Sequence, residues 1–173
     1  EELSDSIKQQ GVLQPIVVRK QASGLYEIVV GERRWRAAQL AGLETVPSII
    51  KDINNSQAAR ISLIENLQRE DLNAMDQARG LQRLQMEFNL SQEDLGSAVG
   101  KSRSSITNLL RLTKLSQDVQ KMLEQGMIEM GHARALLSLK EEKQAALARD
   151  IVKRKLSVRE VEGLVSKENT TTK

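Results

Sequence analysis

The sequence predicts two successive folds. A small α/β domain spans residues 1–70, and an all-α domain containing a helix-turn-helix spans residues 71–165. Residues 166–173 read as the start of a flexible linker. Three observations predict this. Short β-branched runs occur at 15–19, 26–30 and 45–50 and nowhere later. From Asp71 onward, apolar residues recur at the three- and four-residue spacing of amphipathic helices. Aromatic residues make up only 2 % of the chain (Tyr26, Trp35 and Phe88), so the cores rest on Leu, Ile, Val, Ala and Met, which suits helices.

In order, Leu3–Gln10 reads as a short helix, capped by Ser4 or Asp5 and ended by Gly11. Pro15-Ile16-Val17-Val18-Arg19 is a strand, with proline tolerated at its start. Ala22-Ser23-Gly24 is a turn, and Tyr26–Val30 returns as the second strand of a hairpin. Gly31-Glu32-Arg33-Arg34-Trp35-Arg36-Ala37-Ala38 opens a helix that stops near Ala41-Gly42, and Thr45–Ile50 is a third strand. Asn54-Asn55-Ser56 caps a helix over Gln57–Gln68.

The helical part is punctuated by caps. Asn73 with Asp76 opens a helix whose stripe is Met75, Ala78, Leu81, Leu84 and Phe88, read as plain core. Ser91 with Asp94 forms a capping box, and Leu90 with Leu95 a hydrophobic staple. Leu95, Ala98 and Val99 face inward before Gly100 breaks the helix. Ser102 then caps a second helix with Ile106, Leu109, Leu110 and Thr113 inside. Gln117–Gln125 is a helix ended by Gly126, and Met130–Leu137 opens another. Lys140–Lys143 is a solvated charge run. Lys153-Arg154-Lys155 is a basic cluster for which a DNA-backbone contact and a plain surface role stand equally open. Ser157 with Glu160 caps the last helix, predicted to run to about Val165.

Composition narrows the chemistry. The chain has 173 residues, 28 % of them charged, and a net charge of +3, compatible with a nucleic-acid partner but too mild to require one. The absence of cysteine removes disulfide and thiolate chemistry, and one histidine, His132, cannot build a zinc site without it. The shortage of aromatics argues against a stacking platform for single strands. No apolar run approaches membrane-spanning length and no secretory signal is visible, so no membrane partner is expected. The chain starts without Met and ends in a polar tail, which reads as a fragment.

Two stretches carry chemistry. A strand, a glycine and a helix start with three arginines form a phosphate-binding arrangement. The N–H groups of the first turn and the helix dipole favour an anion, glycine lets the backbone approach closely, and the arginines add charge-assisted donors. The alternative is a solvated basic helix face. The second stretch is the helix-turn-helix, whose outer face carries Arg103, Ser104, Ser105, Thr107, Asn108 and Arg111. These are short donors and acceptors flanked by arginines, suited to base edges and phosphates. The alternative is an ordinary helical hairpin with a wet face. Gly131, His132 and Arg134 sit at a further helix start where phosphate is welcome, although a lone histidine there is more often a cap or packing residue, and no catalytic role is assigned to it.

Together, Gly11-Val12-Leu13-Gln14-Pro15-Ile16, Gly31-Glu32-Arg33-Arg34, Glu65-Asn66-Leu67-Gln68-Arg69, Gly100-Lys101-Ser102-Arg103-Ser104 and Gly131-His132-Ala133-Arg134 cover nearly the whole chain. In this order and spacing they resemble the ParB family of chromosome-partitioning proteins. The resemblance implies a ParB/sulfiredoxin-like nucleotide-binding domain followed by an all-α DNA-binding domain. It also implies a clamp that binds palindromic double-stranded parS DNA, engages itself as a homodimer with CTP and Mg2+, and slides from the site. Slow CTP hydrolysis acts as its molecular switch. On this reading Gly31, Glu32, Arg33 and Arg34 hold the triphosphate, and Leu13 and Gln14 line the base side. Glu65 and Asn66 offer oxygen ligands to Mg2+, and Glu65 also bears on hydrolysis. Without the resemblance, Glu65 and Asn66 read as a helix end. Lys101, Ser102, Arg103, Ser104, Ser105, Thr107, Asn108 and Arg111 enter the major groove, with Gly131, His132 and Arg134 in support.

The resemblance further implies a cytoplasmic, nucleoid-associated protein with the ATPase ParA and the SMC condensin complex as partners. The family's ParA-contacting N-terminal segment, its Asn-Pro-x-Gln-Pro-Arg motif and its C-terminal dimerisation domain are not in this sequence, which places turnover by this chain in doubt. A related nucleoid-occlusion branch favours Gln at the position of Arg103 and Arg at that of Gly131, so both residues match the parS-reading branch. A nucleoid-occlusion or plasmid partition protein, reading a different DNA site, is a rival of the same mechanism, and a nucleotide-dependent serine kinase on the same N-terminal fold is a rival of another class.

Overall fold

The computed structural model describes residues 2–69 and 71–171. The chain forms two compact units, residues 1–66 and 67–173. The division falls a few residues before the expected boundary at 70/71, and Glu70 lies outside the described residues. The reason is Leu67: its side chain fills the space beside Gly80, where an added Cβ would meet Leu67 Cδ2 at 2.5 Å. The end of its helix therefore belongs to the helical core.

In the first unit the elements are α1 (Glu2–Gln10), β1 (Ile16–Lys20), β2 (Tyr26–Val30), α2 (Glu32–Leu40), β3 (Ser48–Ile50) and α3 (Asn55–Leu67). Ser4 and Asp5 lie inside α1 rather than capping it, and Ser4 is buried. Gly11 ends α1 as expected, at φ +71° with its N–H on the Ile7 carbonyl. The sheet order is β2-β1-β3. β1 pairs antiparallel with β2 as the predicted hairpin, with a bulge between Val17 and Val18, and parallel with β3. A parallel pair needs the chain to return before the second strand: β2 runs back along β1, and α2 then carries the chain from β2 to β3 on the other side of β1. β3 is shorter than predicted, and Pro47 precedes it, offering its carbonyl to the Ile16 N–H. Ile7 of α1 forms a small core with Ala37 and Ala38 of α2, and Ile16, Val18 and Val29 are buried from the sheet. α3 starts at Asn55 because Asn54 caps it: the Asn54 side chain accepts from the Gln57 N–H, and the Gln57 side chain accepts from the Asn54 N–H.

The second unit continues with α4 (Ala74–Phe88), α5 (Gln92–Val99), α6 (Arg103–Leu112), α7 (Gln117–Glu124), α8 (Met130–Leu136), α9 (Glu141–Arg154) and α10 (Val158–Thr171). The predicted caps at Asn73, Ser91 and Ser102 all form. Met75, Leu81 and Leu84 of α4 are fully buried, as are Leu95, Ile106 and Leu112. Phe88, at the end of the predicted stripe, is only half-buried. A buried amide ties α7 to the start of α9: Gln144 accepts from the Ser116 N–H and donates to the Leu139 carbonyl. α10 outruns its prediction. It continues through the segment read as linker to Thr171, and Lys143 on α9 pairs with Glu168 at 2.8 Å. The linker expectation for Thr172 and Lys173 lies outside the described residues.

Candidate functional site

The first candidate site is the turn between β2 and α2. One residue separates them, so the chain must reverse at Gly31, which adopts φ 103° and ψ 22°. A Cβ there would also lie 2.8 Å from Ile16 Cγ2. The space a side chain would need is therefore taken by β1, a packing reason for glycine that stands beside the reading that it lets a phosphate approach. The glycine sets the turn, and the turn aims the helix.

No side chain caps α2, so its first-turn N–H groups keep their capacity for an outside acceptor. Arg34 Nη1 donates to the carbonyls of Gln14 and Pro15, both at 2.8 Å. That clamp joins two motifs separated in sequence and seats the loop containing Leu13 and Gln14 beside the helix start. Leu13 is 78 % exposed. Arg33 is exposed with no ion pair among the described residues. Glu32 accepts from Arg36 Nε at 3.0 Å across one turn. Beside this turn lies a groove of about 410 Å³ lined mainly by apolar side chains of the sheet and by Trp35. Glu65 and Asn66 are exposed on the last turns of α3. Among the described residues no hydrogen bond links them to the Gly31 turn, and no cluster of three or more His, Cys, Asp or Glu could hold a metal alone.

The second candidate site is the pair α5–α6. Gly100 ends α5 in the left-handed conformation, and Ser102 accepts from the Ser105 N–H to start α6. The two helices close tightly at Gly96, where a Cβ would sit 2.6 Å from the Lys101 carbonyl oxygen. Sequence reading placed Leu95, Ala98 and Val99 on this inner face and missed both Gly96 and Leu112, which is fully buried. Lys101, Ser102, Arg103, Ser104 and Arg111 are exposed, while Ser105, Thr107 and Asn108 are half-buried. The face is furnished with cations at both ends and short polar groups between. Arg103 Nη1 donates to Glu93 Oε1 at 3.0 Å, and the Thr107 hydroxyl donates to Gln92 Oε1 at 2.6 Å.

The start of α8 carries the third group. His132 is 6 % exposed, and its Nδ1 accepts from the Glu129 N–H at 3.1 Å, which puts the neutral ring's proton on Nε2. It caps the helix, the more ordinary of the two roles its position allowed. A Cβ at Gly131 would meet Val158 Cγ2 at 2.7 Å, so this glycine lets α10 approach α8. Arg134 is exposed. The ring of His132 and the α-carbon of Gly131 thus face packing, leaving Arg134 as the outward cation of the three.

Among the described residues, Glu27 and Glu160 have shifted ionisation. Arg19 and Gln21 donate to Glu27 and hold it below the usual carboxylate range. The Ser157 N–H and hydroxyl do the same for Glu160 at the start of α10, both bonds being 2.7 Å.

The comparisons match these two units. The ParB N-terminal domain model matches residues 1–67 and the ParB HTH domain model residues 70–170. The chain is 54 % identical over 167 residues to a probable chromosome-partitioning protein ParB of Vibrio cholerae, covering 96 % of this chain and 57 % of that protein. It is 50 % identical over 173 residues to the chromosome-partitioning protein ParB of Myxococcus xanthus, covering 58 % of it. The chain thus spans little more than half the length of these curated relatives. Among solved structures it resembles a C-terminally truncated ParB of Caulobacter crescentus complexed to the centromeric parS site, with TM-score 0.86 and 42 % identity over 96 % of this chain and 88 % of that one. With both family models matched in order, and with the glycine turn and the helix-turn-helix each formed by the motif residues themselves, this chain belongs to the ParB family.

Proposed function

We propose that this chain recognises a palindromic parS-type duplex through α6 and binds CTP with Mg2+ at the Gly31 turn. The two events couple so that a homodimer loads on DNA, closes and slides as a clamp in chromosome partitioning. The observation that carries the reading is the α5–α6 pair. Its second helix is held by Gly96 and a Ser102 cap and turns Arg103, Ser104 and Arg111 outward. The likeness to a parS-bound ParB supports that assignment. Phosphate contacts from Lys101, Ser102 and Arg134 would set register, while Arg103 and the short polar residues of α6 would read base edges.

At the nucleotide site the uncapped first turn of α2 offers backbone N–H groups to the phosphates, and Arg33 adds charge. Arg34 serves twice. Its Nη1 holds the Gln14 loop, and its remaining donors can take a phosphate oxygen. Glu65 and Asn66 would hold Mg2+, which neutralises phosphate charge when bound. Two exposed oxygen donors suit an ion that keeps waters and phosphate ligands rather than one enclosed by protein. Hydrolysis asks for a positioned water and charge stabilisation, with no covalent nucleophile, and Glu65 would orient that water. On this reading the full-length protein works at the bacterial nucleoid with ParA and the SMC complex as partners.

The test is equilibrium binding of labelled CTP and ATP with Mg2+, with and without a parS duplex. CTP-selective binding strengthened by parS is expected. Equal binding of CTP and ATP, or parS binding no tighter than a scrambled duplex, would overturn the respective half of the proposal.

A further inference from the structure

We infer that Glu93 is a specificity-determining positioning residue: it holds Arg103 in its DNA-reading pose, while its neighbour Gln92 holds Thr107. The inference rests on the reading of α6 as the DNA-contacting helix. Gln92 and Glu93 open α5, directly after the Ser91 cap. Each bonds one residue of α6: Glu93 Oε1 accepts from Arg103 Nη1 at 3.0 Å, and Gln92 Oε1 accepts from the Thr107 hydroxyl at 2.6 Å. Arg103 and Thr107 are one turn apart, so two consecutive residues of one helix brace two successive turns on one face of the other.

Exposure shows that the Glu93–Arg103 half of this brace lies outside the core, while Gln92 and Thr107 are half-buried. The Arg103 and Glu93 side chains are 70 % and 71 % exposed. A pair so open contributes little to fold stability, because solvent screens it and two long side chains must be ordered to make it. It does restrict where Arg103 points. An arginine has five N–H donors, and Glu93 takes Nη1, leaving Nε and Nη2 for a base edge. A carboxylate beside a face that meets phosphates also repels DNA at any sequence. That repulsion is offset only where Arg103 finds the base it is held to read. Glu93 therefore weakens binding to duplexes that lack the base Arg103 reads and spares the one that carries it.

The experiment compares the full chain with Glu93→Ala and Glu93→Gln, using binding to a parS duplex and a scrambled duplex over a range of salt concentrations. Both variants remove the charge, so both are expected to bind the scrambled duplex several-fold more tightly. Only Glu93→Gln keeps an oxygen acceptor for Arg103, so it should retain parS affinity. Glu93→Ala should lose it, lowering the parS-to-scrambled ratio by about tenfold. In an Arg103→Ala background, Glu93→Ala should leave that ratio where it was. Thermal unfolding monitors the fold and should move little. If both variants keep the wild-type ratio, or change affinity for both duplexes by one common factor, Glu93 does not set specificity. If the wild-type chain itself fails to discriminate, the DNA-reading assignment of α6 falls as well, which separates the two failures.

Discussion

Gly31 shows how geometry alone can constrain a residue that is also a candidate for ligand contact. Its φ of 103° is costly for any side chain, and a Cβ would press on Ile16. Gly31→Ser should therefore destabilise the first unit by about 1–3 kcal/mol and misdirect the start of α2. CTP binding should be lost while parS binding persists, as measured by isothermal titration and duplex anisotropy. A variant with unchanged stability but no CTP binding would make direct crowding of the phosphate the cause. Arg103→Ala should cost about 1–3 kcal/mol on parS and little on scrambled DNA if the side chain reads a base; an equal loss on both would make it a phosphate contact. Glu160 titrates below the usual carboxylate range because the Ser157 N–H and hydroxyl bond its ionised form. Its ionised form is favoured in the folded state, so its contribution is complete above the unfolded value and disappears as pH falls through the lower folded one. The gap in melting temperature between the wild type and Glu160→Gln should therefore be open at neutral pH and close in acid.

At the scale of elements, what could be read from the sequence was local. The partnerships of Asn73 with Asp76 and Ser91 with Asp94 lie three residues apart, and both formed as read. The hairpin, the glycine turn and the helix-turn-helix followed from similarly short patterns. What was not legible depends on residues far apart. Nothing near Arg34 in sequence announces that it grips the carbonyls of Gln14 and Pro15. Gln144 has the sequence context of a surface glutamine, and only the folded chain brings Ser116 beside its amide. The extension of α10 was missed because Ser166 to Thr171 has no apolar stripe, although a helix already nucleated can propagate through polar residues. Gly96 sits in an ordinary helical run, and only the packing of α5 against the loop to α6 reveals its role. Gly96→Ala places a methyl 2.6 Å from the Lys101 carbonyl, a backbone group that cannot swing away. It should destabilise the helical unit by about 1–3 kcal/mol and reduce parS binding by disturbing the start of α6. Urea denaturation followed by circular dichroism checks the first effect, and duplex binding on the still-folded variant the second.

At the scale of the molecule, the division into units of 1–66 and 67–173 predicts how the chain melts. The first unit is below the size at which a core is comfortably stabilising, and Leu25, Leu40, Ile49 and Ile50 remain exposed on it. The second buries Met75, Leu81, Leu84, Leu95, Ile106 and Leu112 deeply. Calorimetry should accordingly resolve two transitions, the lower belonging to the first unit. Because a ligand stabilises only the unit that binds it, CTP with Mg2+ should raise the lower transition and a parS duplex the upper. At about 100 times the dissociation constant, each ligand is worth about 2.7 kcal/mol to its own unit. That is enough to move a domain of this size by several degrees. If parS alone also raised the lower transition, the two units would be energetically coupled within these 173 residues, as the proposed coupling of DNA and nucleotide binding requires. If neither ligand moved the transition assigned to it, neither unit would bind its ligand, and both halves of the proposed function would fall.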